Sequence, residues 1–146
     1  MADKLVNYIV DTSIVIQHLI TDTHSANADV LFDELGDTLM IHIPEFCLLE
    51  CANVLWKRVR FHGMPSTIAE ELIENLVALP LQIVPTGSLL KRGLQIGLKH
   101  QLAVYDSIYI AMAENLKFQL ISDDVKQDKA AIAEGVTTKS ITDFKP

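Results

Sequence analysis

Asp11, Glu50, Asp106 and Asp124 are acids set against apolar runs. Asp11 follows Tyr8-Ile9-Val10, and Glu50 interrupts the segment around Phe46-Cys47-Leu48-Leu49. Asp106 follows Leu102-Ala103-Val104-Tyr105, and Asp124 closes Phe118-Gln119-Leu120-Ile121-Ser122-Asp123. A carboxylate beside a core is unfavourable unless it is paired, hydrogen-bonded or bound to a cation. Four such acids on one small chain point to a hard-metal site, and a hard-metal site points to phosphate chemistry.

The surroundings of each acid sharpen this reading. Asp11-Thr12-Ser13 follows a strand pattern and opens a helix. Asp11 can serve as the helix cap, or Thr12 and Ser13 can cap and leave Asp11 facing a crevice. In the second case Ser13 can hydrogen-bond a carboxylate or a metal-bound water. Glu50 lies on a helix whose core face is Leu48, Cys51, Ala52, Leu55 and Val59. Glu50, Asn53 and Lys57, at i, i+3 and i+7, share another face that joins an acid, an amide and a cation. That face suits a metal and a phosphate, or a solvated stripe. Asp106-Ser107 leads into Ile108-Tyr109-Ile110-Ala111-Met112-Ala113, a helix apolar on nearly every side, where a cap and a metal ligand are compatible roles. In Ser122-Asp123-Asp124 either acid can reach the site, with Asp124 preferred and Asp123 supporting. Gathered carboxylates need a counter-charge to stay ionised, and Mg²⁺ or Mn²⁺ suits an all-oxygen set.

The elements that must position these residues alternate along the chain. Strands are predicted at 7–10, 39–43, 82–84, 117–121 and 138–141. Helices are predicted at 13–21, 25–35, 45–60, 66–78, 86–97, 106–115 and 126–133. Gly36-Asp37 ends one helix, Pro44 precedes another, and Gly63-Met64-Pro65-Ser66 breaks the chain with Ser66 as a helix cap. Such βα alternation with Val- and Ile-rich strands implies an α/β domain, its mostly parallel sheet covered by helices on both faces. No repeat or linker divides residues 1–146, so one domain is expected. Ligands of open parallel sheets bind beyond the carboxyl ends of the strands, where Asp11 and Asp124 fall.

With 146 residues, 49% hydrophobic and 21% charged, the chain has material for a buried core. No apolar stretch approaches the roughly 18–20 residues of a membrane span. The opening Met1-Ala2-Asp3-Lys4-Leu5-Val6 reaches the first strand too soon for a secretory signal, so a soluble intracellular protein is expected. The net charge of −7 argues against general coating of nucleic acid. A local phosphate track remains open from Lys57, Arg58, Arg60 and His62, and from Lys91, Arg92, Lys99 and His100, against ordinary helix-surface charge. Cys47 and Cys51 read as core thiols. His18, His24, His42, His62 and His100 form no ligand spacing and read as solvent-facing or satisfied.

The ordered set resembles a PIN domain of the VapC type, the nuclease family common in prokaryotic toxin–antitoxin pairs. Val10-Asp11-Thr12-Ser13 resembles its first-acid strand, and Ile43-Pro44 with Glu50-Cys51-Ala52-Asn53-Val54-Leu55 its second-acid helix. Residues 102–111 are similar to the third motif and Leu120-Ile121-Ser122-Asp123-Asp124 to the fourth, with Ser122 where Thr is usual and an extra acid at Asp123. The resemblance implies a five-stranded parallel sheet and a Mg²⁺- or Mn²⁺-dependent endoribonuclease. It implies further that Asp11, Glu50, Asp106 and Asp124 bind metal, supported by Ser13 and Asn53, that the protein is a homodimer, and that an antitoxin blocks the site. The rival is a PIN-like scaffold that binds RNA or protein without turnover. No G-x-x-x-x-G-K-[ST] or G-x-G-x-x-G is present, so neither a P-loop nor a dinucleotide fold is supported. Thr12-Ser13 after Asp11 disfavours a phosphotransfer receiver, and Ser13 takes the place of the second Asp of a haloacid-dehalogenase-like phosphatase.

Overall fold

The computed structural model describes residues 5–146, so the expectation drawn from Met1-Ala2-Asp3-Lys4 lies outside the described residues. Its parallel strands are β1 (Val6–Val10), β2 (Leu39–Pro44), β3 (Gln82–Val84), β4 (Gln119–Ile121) and β5 (Thr138–Lys139). They pair in the order β3-β2-β1-β4-β5, with Tyr8 opposite both Ile41 and Gln119. The chain therefore builds outward from β1 in one direction and resumes at β4 on its other side. Beyond the carboxyl ends of β1 and β4 this reversal opens a crevice that no crossover covers. Tyr8, Ile9 and Val10 are consecutive and all buried, so both faces of the central strand are packed.

Among the described residues seven helices surround the sheet: α1 (Thr12–Leu19), α2 (Ser25–Asp33), α3 (Phe46–His62), α4 (Ser66–Ala78), α5 (Leu90–His100), α6 (Val104–Leu116) and α7 (Val125–Ala133). Residues 107–113 of α6 are buried without a break, as its apolar composition requires. Helices α5 and α6 approach closely because α5 has no side chain at two crossing points. A Cβ on Gly97 would lie 2.8 Å from the Leu102 carbonyl oxygen and 3.1 Å from Ser107 Oγ, and one on Gly93 would lie 2.7 Å from Ile108 Cδ1. This contact fixes the start of α6, the turn that carries Asp106.

Several boundaries differ from the sequence reading. The helix expected at 86–97 is a 3-10 turn (Gly87–Leu89) followed by α5, and the one expected at 106–115 begins at Val104. Asp106 is thus inside the first turn of α6, and Ala103 holds the cap position. Lys117, at φ 59°, ends α6 and delays β4 to Gln119. Ser66 is the first helical residue of α4, with Pro65 at the cap position, so it caps nothing. Helix α3 runs on to His62 and stops at Gly63, whose φ of 76° suits glycine.

Cys47 and Cys51 are buried free thiols in the core. His18 bonds Asp29 and stacks on Phe32, while His42 bonds Asn7. In the second basic group Arg92, Lys99 and His100 are engaged by carboxylates, while Lys91 is exposed. Arg92 forks onto Glu114 and reaches Glu134, which also receives Lys99 at 2.9 Å and His100 at 2.6 Å. The Glu134 side chain is only 7% exposed, so this network ties α5 and α6 to the end of α7. Among the described residues no helix is long and apolar enough to cross a membrane.

Candidate active site

Asp11 stands at the crevice because β1 ends there and α1 begins. Its extended backbone (φ −90°, ψ 178°) places the carboxylate over the first amides of α1, where Oδ1 accepts from Ile14 N at 3.4 Å. Asp11 is thus itself the helix cap, the first of the two alternatives that the sequence leaves open. Ser13 donates to Oδ1 at 2.5 Å, and Ser122, arriving from the end of β4, donates to Oδ2 at 2.6 Å. Burial outweighs these three bonds, and the carboxyl is pushed up to about 6. The Asp123 charge adds to the shift.

Glu50 projects from the second turn of α3 toward the same crevice. Thr12 donates to its Oε1 at 2.7 Å, and Tyr109 donates to the same oxygen at 3.0 Å. Two hydroxyls from two other helices therefore fix one carboxylate oxygen and leave its twin available. Asp106, on the first turn of α6, has its carboxyl pushed up by burial first, then by the charges of Asp124 and Glu50, against the pull of Lys126. Asp124 caps α7, its Oδ1 accepting from Lys126 N at 3.0 Å and Gln127 N at 3.1 Å. Ser122 accepts from Asp124 N at 2.9 Å, so one hydroxyl links the first and fourth acids. Asp123 is exposed, and its amide donates to Ser13 Oγ at 3.3 Å.

Asn53 and Lys57 line a cleft of about 420 Å³ with Thr12, Phe46, Glu50 and Tyr105. The periodicity of α3 put Glu50, Asn53 and Lys57 together, and the fold keeps them so. Arg58 instead turns toward Asp22 at 3.8 Å, and Arg60 lies over the Phe61 ring at 5.4 Å. Neither lines the cleft.

The structure adds residues that the sequence reading passed over. Thr12 and Tyr109 orient Glu50, and Ser122 orients Asp11. Gln127, fully buried, donates to the Asp106 carbonyl at 3.0 Å and leaves its own Oε1 without a partner. Asp128 is a further acid, pushed up to about 6 by burial and by Asp124 and Asp123. A tyrosine three residues after Asp106, in an otherwise apolar helix, was a usable signal for Tyr109. Gln127 and Asp128 sit in an ordinary polar helix pattern and gave none.

Among the described residues, no three His, Cys, Asp or Glu side chains are drawn together tightly enough to hold a metal ion. The donor chemistry nonetheless fits a hard cation. The donors are all oxygen, Asp106 feels the charges of both Asp124 and Glu50, and a positive ion would relieve both the burial of Asp11 and the crowding felt by Asp106.

The PIN domain family model matches residues 8–133. Ribonuclease VapC3 from Pyrobaculum aerophilum is 26% identical over 118 residues, which cover 80% of this chain and 88% of that protein. PAE2754 from the same organism has a TM-score of 0.73 at 19% identity, covering 96% of this chain and 94% of its own. VapBC2 from Rickettsia felis, bound to a DNA fragment from its promoter, has a TM-score of 0.66 at 13% identity, covering 92% of this chain and 98% of its own.

Proposed function

The chain belongs to the PIN domain family, and on that footing we propose that it is a Mg²⁺- or Mn²⁺-dependent endoribonuclease, the toxin of a VapBC-type pair. The observation that carries this reading is the orientation of two carboxylates at the crevice. Asp11 is held by Ser13 and Ser122, and Glu50 by Thr12 and Tyr109, with Asp106 and Asp124 within electrostatic reach. Holding Asp11 buried is unfavourable for the apo fold, which a scaffold without turnover has no use for. The likeness to Ribonuclease VapC3 supports the substrate class.

Asp11, Glu50, Asp106 and Asp124 would hold the cation. It would supply neutralisation of charge on the scissile phosphate and easier ionisation of the attacking water. The protein's own groups do the rest. Ser13, Ser122, Thr12 and Tyr109 keep the carboxylates turned to the crevice, so little rearrangement is needed when substrate arrives. Lys57, on the wall beside Glu50, offers a cation to a neighbouring phosphate. The likeness to VapBC2 supports a protein antitoxin as partner. A cytoplasmic homodimer completes the proposal, on the family resemblance.

The test is cleavage of total cellular RNA in Mg²⁺ or Mn²⁺ by antitoxin-free wild type, Asp11→Asn and Asp106→Asn, with an EDTA control. Discrete fragments that need metal and vanish in both variants support the nuclease. No cleavage by folded wild type, or equal cleavage by all three, refutes it.

A further inference from the structure

Resting on the nuclease reading, we propose that the cleft beside Glu50 is a base-binding subsite in which an unpaired nucleobase of the substrate strand stacks on Tyr105. Tyr105 immediately precedes Asp106 in the first turn of α6, yet its side chain is 60% exposed. A large aromatic left open one residue from a candidate metal ligand is unusual, since burying it is favourable. The ring is nonetheless braced. Phe46 meets it edge-on at 5.3 Å, and Phe46 in turn meets Tyr109 edge-on at 5.6 Å. Tyr109 is buried and hydrogen-bonded to Glu50. A row of three rings thus runs from the surface to a carboxylate of the site, with Tyr105 at its open end.

The rest of the lining decides the occupant. It includes Lys57 and Asn53, a cation and an amide, alongside Glu50 and the apolar Leu49 and Val54. An aromatic platform sharing a cleft with a cation is suited to nucleotide, whose base stacks while its phosphate is neutralised. The volume of about 420 Å³ lies in the usual range for small-ligand clefts. An apolar protein surface would leave Lys57 and Asn53 without complementary partners. A base inside a duplex cannot reach the platform without unstacking, so the subsite selects single strands or loops over helical RNA. It also sets register, because a base seated on Tyr105 places an adjacent phosphate next to the acids.

The experiment is equilibrium binding of a short fluorescent oligoribonucleotide in Mg²⁺, with every protein in the Asp106→Asn background so that the strand stays uncut. A second set carries 2-aminopurine to report stacking. Adding Tyr105→Ala is expected to weaken single-strand binding about 5- to 150-fold and abolish the 2-aminopurine quench, from the worth of one stacked base. Tyr105→Phe, which keeps the ring, restores both. A blunt duplex of the same sequence is expected to bind weakly and identically to all variants. Unchanged single-strand affinity in Tyr105→Ala overturns the subsite. So does a Tyr105→Ala protein that sediments as a smaller species than its parent, because Tyr105 then belongs to a contact between two copies of the chain. Since no cleavage is read, failure here is separate from failure of the nuclease reading. Inactive wild-type protein that still shows Tyr105-dependent stacking would retain the subsite and lose the enzyme.

Discussion

Replacing Asp11 by Asn should stabilise the metal-free protein at neutral pH. Asp11 titrates near 3.8 when free and at about 6 in the fold, and it is only 7% exposed. Between those values the folded chain keeps a proton that the unfolded chain has released. Stability therefore falls as pH rises from about 4 to 6 and is flat above. At about 1.4 kcal/mol per pH step, the full loss is about 3 kcal/mol. Asn carries no charge and escapes this loss, but it turns an amide toward Ser122 Oγ, which already accepts from Asp124 N. One degraded hydrogen bond costs about 1 kcal/mol. The variant should exceed wild type by about 2 kcal/mol at pH 8, or ~4–8 °C in Tm, and show no advantage near pH 4.5. Urea unfolding in EDTA across that range measures the difference directly. Mg²⁺ should then raise the stability of wild type more than that of the variant. A variant less stable than wild type by the same amount at every pH would refute the reasoning, because the bonds from Ser13, Ile14 and Ser122 would then outweigh burial.

Three further outcomes follow from other contacts. Tyr109→Phe removes one of two bonds to Glu50 Oε1 and should lower Mn²⁺ affinity about 10- to 100-fold by titration calorimetry, whereas unchanged affinity would remove Tyr109 from the site. Glu134 is held down at about 2, first by His100, then by Lys99 and Arg92, so its stabilisation is present above its ordinary 4.5 and lost as pH falls toward 2. Acid unfolding curves of wild type should lose this increment while Glu134→Gln, weaker at neutral pH, does not; parallel curves would contradict the network. Gly97→Ala should destabilise by about 1–3 kcal/mol in chemical denaturation, because its Cβ meets the Leu102 carbonyl rather than a movable side chain, and a neutral result would show that α5 can shift away.

The fold was legible wherever local pattern and long-range packing agree. Continuous apolar runs such as Tyr8-Ile9-Val10 belong to strands covered on both sides, and that is what the sheet shows. Helix α4 was read to the residue, since Pro65 and Pro80 bracket it. Misread boundaries arose where the chain is held by packing. Helix α6 starts two residues early because the close approach of α5 anchors its first turn, and nothing local marks Val104 as helical. Arg92, Lys99 and His100 leave a phosphate track open in the sequence because Glu114 and Glu134, their partners, are distant along the chain.

The sequence by itself determined which groups carry the chemistry. An acid adjoining an apolar run is conspicuous in one dimension, and helical period alone places Glu50, Asn53 and Lys57 on one face. Only the tertiary structure decided how those groups are held. Thr12, Tyr109 and Ser122 act on carboxylates 38, 59 and 111 residues away, and Tyr105 gains its bracing from Phe46. A hydroxyl has no periodicity that reveals its partner, so such pairings exist only once the strand order has brought β1 and β4 side by side and set α3 and α6 against their carboxyl ends.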